Sequence, residues 1–224
     1  MCSSSSFRKL GQTNLKLPKP ESLRAVRFDG TRGYAITAER SDPLFTIDLS
    51  VPSAPKQAGE LHMPGWITHL EPRGDRLVGF GFEDTTWRSR LAVSLFDVSD
   101  LARPTLTKRV AFGTAGGGYA EDADRIHKSV QVLDDKGLVL VPFASRGGWD
   151  GASCSPGKSG IQLIDYSRND LVLRGGDDAV EDVGVFQRIL ADDEEGRGRF
   201  HPFQYVEHRR GPVRVGAIVE SQGK

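Results

Sequence analysis

Leu44-Phe-Thr-Ile-Asp-Leu-Ser50, Leu91-Ala-Val-Ser-Leu-Phe-Asp-Val-Ser99 and Gly160-Ile-Gln-Leu-Ile-Asp165 share one plan, a short apolar run closed by an aspartate. In the first two copies a serine follows at Ser50 and Ser99 and a proline at Pro55 and Pro104. The spacing is 49 residues from Asp48 to Asp97 and 68 from Asp97 to Asp165. Runs this short, bounded by turn residues, read as buried strands rather than helices.

The flanking sequence fills each copy out to four strands. Ser22–Phe28, a turn at Asp29-Gly-Thr-Arg-Gly33, Tyr34–Thr37 and Gln57–Leu61 surround the first run. Ile67–Leu70, a turn at Pro72-Arg-Gly-Asp75, Arg76–Phe80 and Leu106–Val110 surround the second. The third has Lys128–Leu133, Asp134-Asp-Lys-Gly137, Leu138–Phe143 and Leu171–Arg174. Glycine at 26 of 224 residues, against a usual share of about 7%, and 12 prolines supply the turns. Four antiparallel strands recurring every 40–50 residues or so are the pattern of a β-propeller. A β-sandwich spaces its strands similarly, but it does not require the same Asp-ended strand and Pro-containing loop in each unit. The predicted class is all-β, a propeller with about three four-stranded blades and a partial one. Residues 1–14 read as a polar end or the tail of a preceding blade, 15–65, 66–112 and 113–178 as three blades, and 179–224 as a partial or divergent blade. The last region holds Val185–Leu190 and a possible hairpin of Phe203–Glu207 with Val213–Val219. Three and a half blades leave open faces and edge strands, so a piece of a larger propeller, or a protomer completed by another chain, is expected.

Composition removes several function classes. Lys+Arg and Asp+Glu both number 30, and the pI is about 7.0, which argues against a nucleic-acid arm or a polybasic membrane patch. No apolar run approaches the 20 or so residues of a membrane helix. Two cysteines make neither a disulfide framework nor a four-ligand zinc site. Cys2 follows Met1 with no apolar run before it, so the start reads as a polar end, with the mature start of a lipid-anchored protein as the alternative.

The chemistry-bearing residues gather on one set of connections. Strand-two-to-three loops and crossovers to the next blade share a face, and the long ones are about 83–90, 113–125 and 144–159. Glu121, Asp122, Asp124 and His127 lie at the end of the second of these, and hard carboxylates with an imidazole suit a divalent metal or a sugar hydroxyl. Trp87 and Trp149 sit in the other two, as stacking surfaces for a sugar or a protein, or as edge packing. An acidic solvated loop is the bland reading of residues 121–127. His69 and Glu71 fall on an inner strand, where a structural role is favoured. Gly113-Thr-Ala-Gly-Gly-Gly118 opens no helix and so lacks the anion site of a phosphate loop. Cys154 is a single loop thiol with no activating neighbour in sequence. His208-Arg-Arg210 and Asp192–Glu195 read as ordinary surface charge.

Val26-Arg-Phe-Asp-Gly30, Asp42–Ser50, Gly59-Glu-Leu61 with Pro64-Gly65, Leu95–Ser99, His127-Lys128 and Leu138–Pro142 resemble a secreted bacterial and archaeal family described as a C-terminal β-propeller domain of unknown function. The resemblance covers about Leu15 to Asp165, weakens after Val183, and has Glu71 where the family pattern has histidine. It implies a propeller fold, an exported protein at the cell surface, in the periplasm or outside, and no assigned chemistry. No catalytic residue and no cofactor is predicted. The expected function is non-catalytic binding of a protein or glycan through the long-loop face. The alternative is part of a metal-assisted hydrolase or lyase using Glu121, Asp124 and His127.

Overall fold

The computed structural model describes residues 7–17, 21–37, 43–84, 89–113, 118–119, 125–144, 148–149, 154–155, 159–174 and 214–220. Among these described residues seventeen strands run in order: β1 Phe7–Asn14, β2 Leu23–Asp29, β3 Arg32–Thr37, β4 Leu44–Asp48, β5 Lys56–Leu61, β6 Trp66–Arg73, β7 Arg76–Phe82, β8 Leu91–Asp97, β9 Thr105–Phe112, β10 Gly118–Tyr119, β11 Gln131–Leu133, β12 Leu138–Ala144, β13 Gly148–Trp149, β14 Cys154–Ser155, β15 Ser159–Tyr166, β16 Leu171–Leu173 and β17 Arg214–Glu220. Two 3-10 turns, Ile126–Lys128 and Asp134–Lys136, are the only helical pieces among the described residues.

Two sheets are plain antiparallel meanders, β2-β3-β4-β5 and β6-β7-β8-β9. The third, built on β12-β15-β16, has its first-strand position filled in two pieces: β11 opposite Leu138–Leu140, and β10 opposite Phe143 and Ala144. Sequence predicts one strand over Lys128–Leu133 there. Instead Ile126–Lys128 winds into a turn, with Ser129 and Val130 both donating backbone hydrogen bonds to the Ile126 carbonyl. β13 and β14 form a small hairpin inside the 144–159 connection. Away from these sheets, β1 pairs antiparallel with β17. Val185–Leu190 and Phe203–Glu207 lie outside the described residues.

Each Asp-ended run is the third strand of its sheet. β4, β8 and most of the facing strands β3 and β7 are buried on both faces, which is why they read as near-continuous apolar runs. Ala25, Tyr34, Ile36, Leu44, Ile67, Leu77 and Phe96 pack between the first and second sheets. Val78, Phe80, Val93, Leu95, Phe112, Val139, Val141 and Ile164 pack between the second and third. The core is therefore a set of layers between neighbouring blades.

The repeated turn chemistry follows from backbone needs. Gly30, Gly74 and Gly137 close the turns after the first strands with φ of 56, 65 and 58°. In that left-handed region a Cβ is unfavourable. Leu49, Val98 and Tyr166, each one residue past the aspartate, donate their N–H to Thr31, Asp75 and Gly137 carbonyls at 2.8, 3.0 and 2.8 Å. The carboxylates of Asp48 and Asp97 accept the N–H of Ser50 and Ser99, both at 2.9 Å. The Asp-x-Ser signature is thus a turn that ties strand three to the bottom of strand two.

Candidate functional site

β2 and β6, the first strands of adjacent sheets, pack against each other, and their side chains form a continuous polar row. Arg27 on β2 donates from Nη2 to Nδ1 of His69 on β6 at 2.6 Å. A guanidinium has donors only, so Nδ1 is the acceptor and the proton sits on Nε2. Nε2 then donates to Oε1 of Glu71 at 2.6 Å. Glu71 Oε2 accepts from Arg73 Nη1 at 3.4 Å, and Arg73 Nη2 donates to the Val132 carbonyl of β11 at 3.3 Å. Arg73 Nε stands 3.0 Å from Asp134 Oδ2, an ion pair without the alignment of a hydrogen bond. The row therefore crosses all three blades.

The alternation along β6 puts His69, Glu71 and Arg73 on one side of the strand. Register against the second strands shows that Arg27, Glu71 and Gln131 hold equivalent places, opposite Tyr34, Val78 and Leu140. His69 is the most enclosed member, its side chain 3% exposed. Burial pushes its imidazole below the usual range, the hydrogen bond with Glu71 opposes this, and the nearby Arg27 charge adds to the lowering. Burial alone raises the Glu71 carboxyl. The hydrogen bond from His69 and the charges of Arg73 and Arg27 outweigh it and hold Glu71 below the ordinary carboxylate range. With both ring nitrogens engaged, His69 is neither a free base nor a metal ligand in this arrangement.

His127 meets this row from the third blade. It is exposed, lies in the 3-10 turn just after the 113–125 connection, and stacks on His69 with ring centroids 6.5 Å apart and planes at 29°. Of the residues singled out from sequence, His127, His69 and Glu71 are brought together. Trp149 lies in β13, opposite Cys154. Trp87, Glu121, Asp122 and Asp124 lie outside the described residues. Among the described residues no group of three or more His, Cys, Asp or Glu is placed to hold a metal ion. Arg27, Arg73 and Asp134 were not anticipated. Their signal is positional and appears only once the first strands are aligned through Arg32 and Arg76, which open β3 and β7.

A family model for the β-propeller domain matches residues 5–184 of this sequence. The chain belongs to the β-propeller domain family. The match reaches further at both ends than the segments singled out above and stops close to Val183, where the resemblance weakens. An uncharacterised protein of Methanocaldococcus jannaschii is 45% identical over 89 residues, 39% of this propeller chain and 14% of that protein. An uncharacterised protein of Archaeoglobus fulgidus is 42% identical over 128 residues, 57% of the chain and 19% of that protein. The propeller chain thus spans less than a fifth of the length of these curated relatives. No helix among its described residues is long and apolar enough to cross a membrane.

Proposed function

We propose that this propeller chain is a non-catalytic binding module of an exported protein, and that its ligand is a glycan held on the long-loop face. The supporting observation is the position of His127. It is exposed at the end of the 113–125 connection and backed by the fixed Arg27–His69–Glu71 row. A side chain braced in this way suits recognition, because little ordering is left to pay on binding. Glu121, Asp122 and Asp124 precede it in sequence, and carboxylates of that kind, with Trp87 and Trp149 in the other long connections, are residue types suited to sugar hydroxyls and to stacking. His69, already saturated, acts as a support.

Binding of the full chain to an oligosaccharide array, followed by titration of any hit, tests this reading. A hit is expected whose affinity falls at least about tenfold, roughly 1.4 kcal/mol, in His127→Ala. It is expected to be unchanged in Arg103→Ala, which lies on the opposite face and pairs with Asp100. Equal binding by both variants removes the site from this face, and no retention of any glycan by a folded chain favours a protein ligand instead. Shortened or unsaturated sugar products in the same titration would establish a hydrolase or lyase.

A further inference from the structure

The first strands of the first two blades carry the same irregularity. In β2, Leu23 pairs with Thr37 and Ala25 with Ile36, leaving Arg24 as a bulge. In β6, Ile67 pairs with Gly81 and His69 with Phe80, leaving Thr68. A bulge re-aims the side chain it carries. Thr68 folds back on its own sheet, its Oγ1 donating to the Phe80 carbonyl at 3.0 Å. Arg24 instead crosses to the second blade, where its guanidinium carbon stands 5.4 Å from the centre of the Trp66 ring.

Trp66 is itself fixed. It opens β6 and meets Phe82 edge to face, with ring centroids 5.6 Å apart and planes at 71°. The backbone around it has no slack: Gly65 takes a φ of 82°, and a Cβ on Gly81 would run into the Trp66 carbonyl oxygen. Attraction to the indole face therefore holds an exposed guanidinium in a set place. Among the described residues, however, Arg24 donates no hydrogen bond and enters no ion pair. Glu21, the carboxylate closest to it in sequence, accepts from the Thr37 hydroxyl. Arg32, Arg76 and Arg109, by contrast, all donate to main-chain carbonyls.

Arg27 brings a second charge from β2 to the same boundary. It is half-buried, and its donors go to the Val26 carbonyl and to the neutral ring of His69, with no ion pair among the described residues. Burial lowers its pKa, and the charge of Glu71 opposes this. A half-buried cation without a direct counter-ion is a cost that a bound anion would offset. Trp66 supports Arg24 and His69 backs His127, and three residues of β6, about 10 Å of strand, separate the two on the long-loop face.

We infer that the boundary between β2 and β6 is a subsite for the carboxylate of a uronic acid, with Arg24 as the residue that grips it. The inference rests on the glycan reading above and adds the charge of the sugar. A planar guanidinium fork matches a carboxylate through two parallel N–H···O bonds, and a fork already ordered on an indole loses little freedom on binding.

Calorimetric titration of the full chain with oligomers of galacturonate, of alginate and of hyaluronan, each beside its carboxyl-reduced counterpart, tests this. In dilute buffer at least one acidic oligomer is expected to bind at least about tenfold more tightly than its reduced form, a margin that shrinks in about 0.5 M salt. Arg24→Gln is expected to erase the margin and leave affinity for the reduced form unchanged, and Arg24→Lys to keep only part of it. Because Arg24 is exposed, the Tm of Arg24→Gln should stay within about 4 °C of the wild type. If that variant does not fold, the acidic and reduced forms compared on the unaltered chain decide alone. Equal affinity for the two forms overturns the inference, as does a margin that survives in folded Arg24→Gln. Reduced oligomers that bind through His127 while the carboxylate adds nothing would leave the glycan reading standing and remove this one. No retention of either kind by a folded chain removes both.

Discussion

His69 has acidic-side consequences that follow from its two hydrogen bonds. Its Nδ1 accepts from Arg27, so a second ring proton has no place without moving a guanidinium. Burial leads the lowering of its pKa, and in the unfolded chain the ring titrates near its ordinary value of about 6.5. Between the folded and unfolded pKa values the unfolded state binds more protons, so stability rises with pH across that window and levels off above about 6.5. Glu71, held below its unfolded value of roughly 4.3, contributes stability above that pH and loses it as pH falls through the folded pKa. Urea midpoints at pH 7.5 and 5.0 should therefore drop for the wild type, and by clearly less in His69→Gln. An equal drop in both would place the acid sensitivity elsewhere. His69 and Glu71 were legible as inner-strand residues. Arg27 was not, because a lone arginine in an alternating strand looks like any solvated residue until its neighbour's register is known.

At the scale of elements, the blades are joined by an arginine that opens the second strand. Arg32 Nη1 donates to the carbonyls of Gly74 and Val98 in the next blade, both at 3.1 Å. Arg76, in the equivalent place, donates from Nε to the Arg168 carbonyl at 2.7 Å and from Nη2 to Asn169 Oδ1 at 2.9 Å, and pairs with Asp97 at 2.9 Å. Its side chain is 8% exposed. Removing it breaks several charge-assisted hydrogen bonds made by a nearly buried guanidinium, so Arg76→Ala should cost about 1.5–3 kcal/mol in urea unfolding. Arg76→Lys should recover less than half of that, since one ammonium does not reproduce the fork. Full recovery would mean that charge alone joins the blades. The Asp-ended strands were readable because burial on both faces forces unbroken apolar runs. The turn at Ile126–Lys128 was not, because Ser129-Val-Gln-Val-Leu133 alternates like a longer strand and the hydrogen bonds of Ser129 and Val130 to the Ile126 carbonyl leave no mark in that pattern. The long connections show in the sequence only as length and residue type, and most of their residues, Trp87, Glu121, Asp122 and Asp124 among them, lie outside the described ones.

For the whole molecule, the layered core predicts near-independence of its boundaries. Ile36 lies between the first and second blades, Val141 between the second and third, and both are fully buried. Ile36→Ala should cost about 2–5 kcal/mol, and Val141→Ala somewhat less. The double variant should equal the sum to within about 0.5 kcal/mol, as for repeat arrays with nearest-neighbour interfaces. A coupling above about 1 kcal/mol would show a shared core instead. The two joining arginines carry this modularity into descent. A gene exchange that swapped or doubled a unit at either of the first two boundaries would find an arginine reaching oxygen acceptors in the turns and loops of the blade that follows. In the third blade the corresponding residue, opposite Asp165, is Leu138, and a unit transplanted after it would arrive without that fastening. Growth of such a protein by copying units is therefore easy on one side of this blade and demands new chemistry on the other.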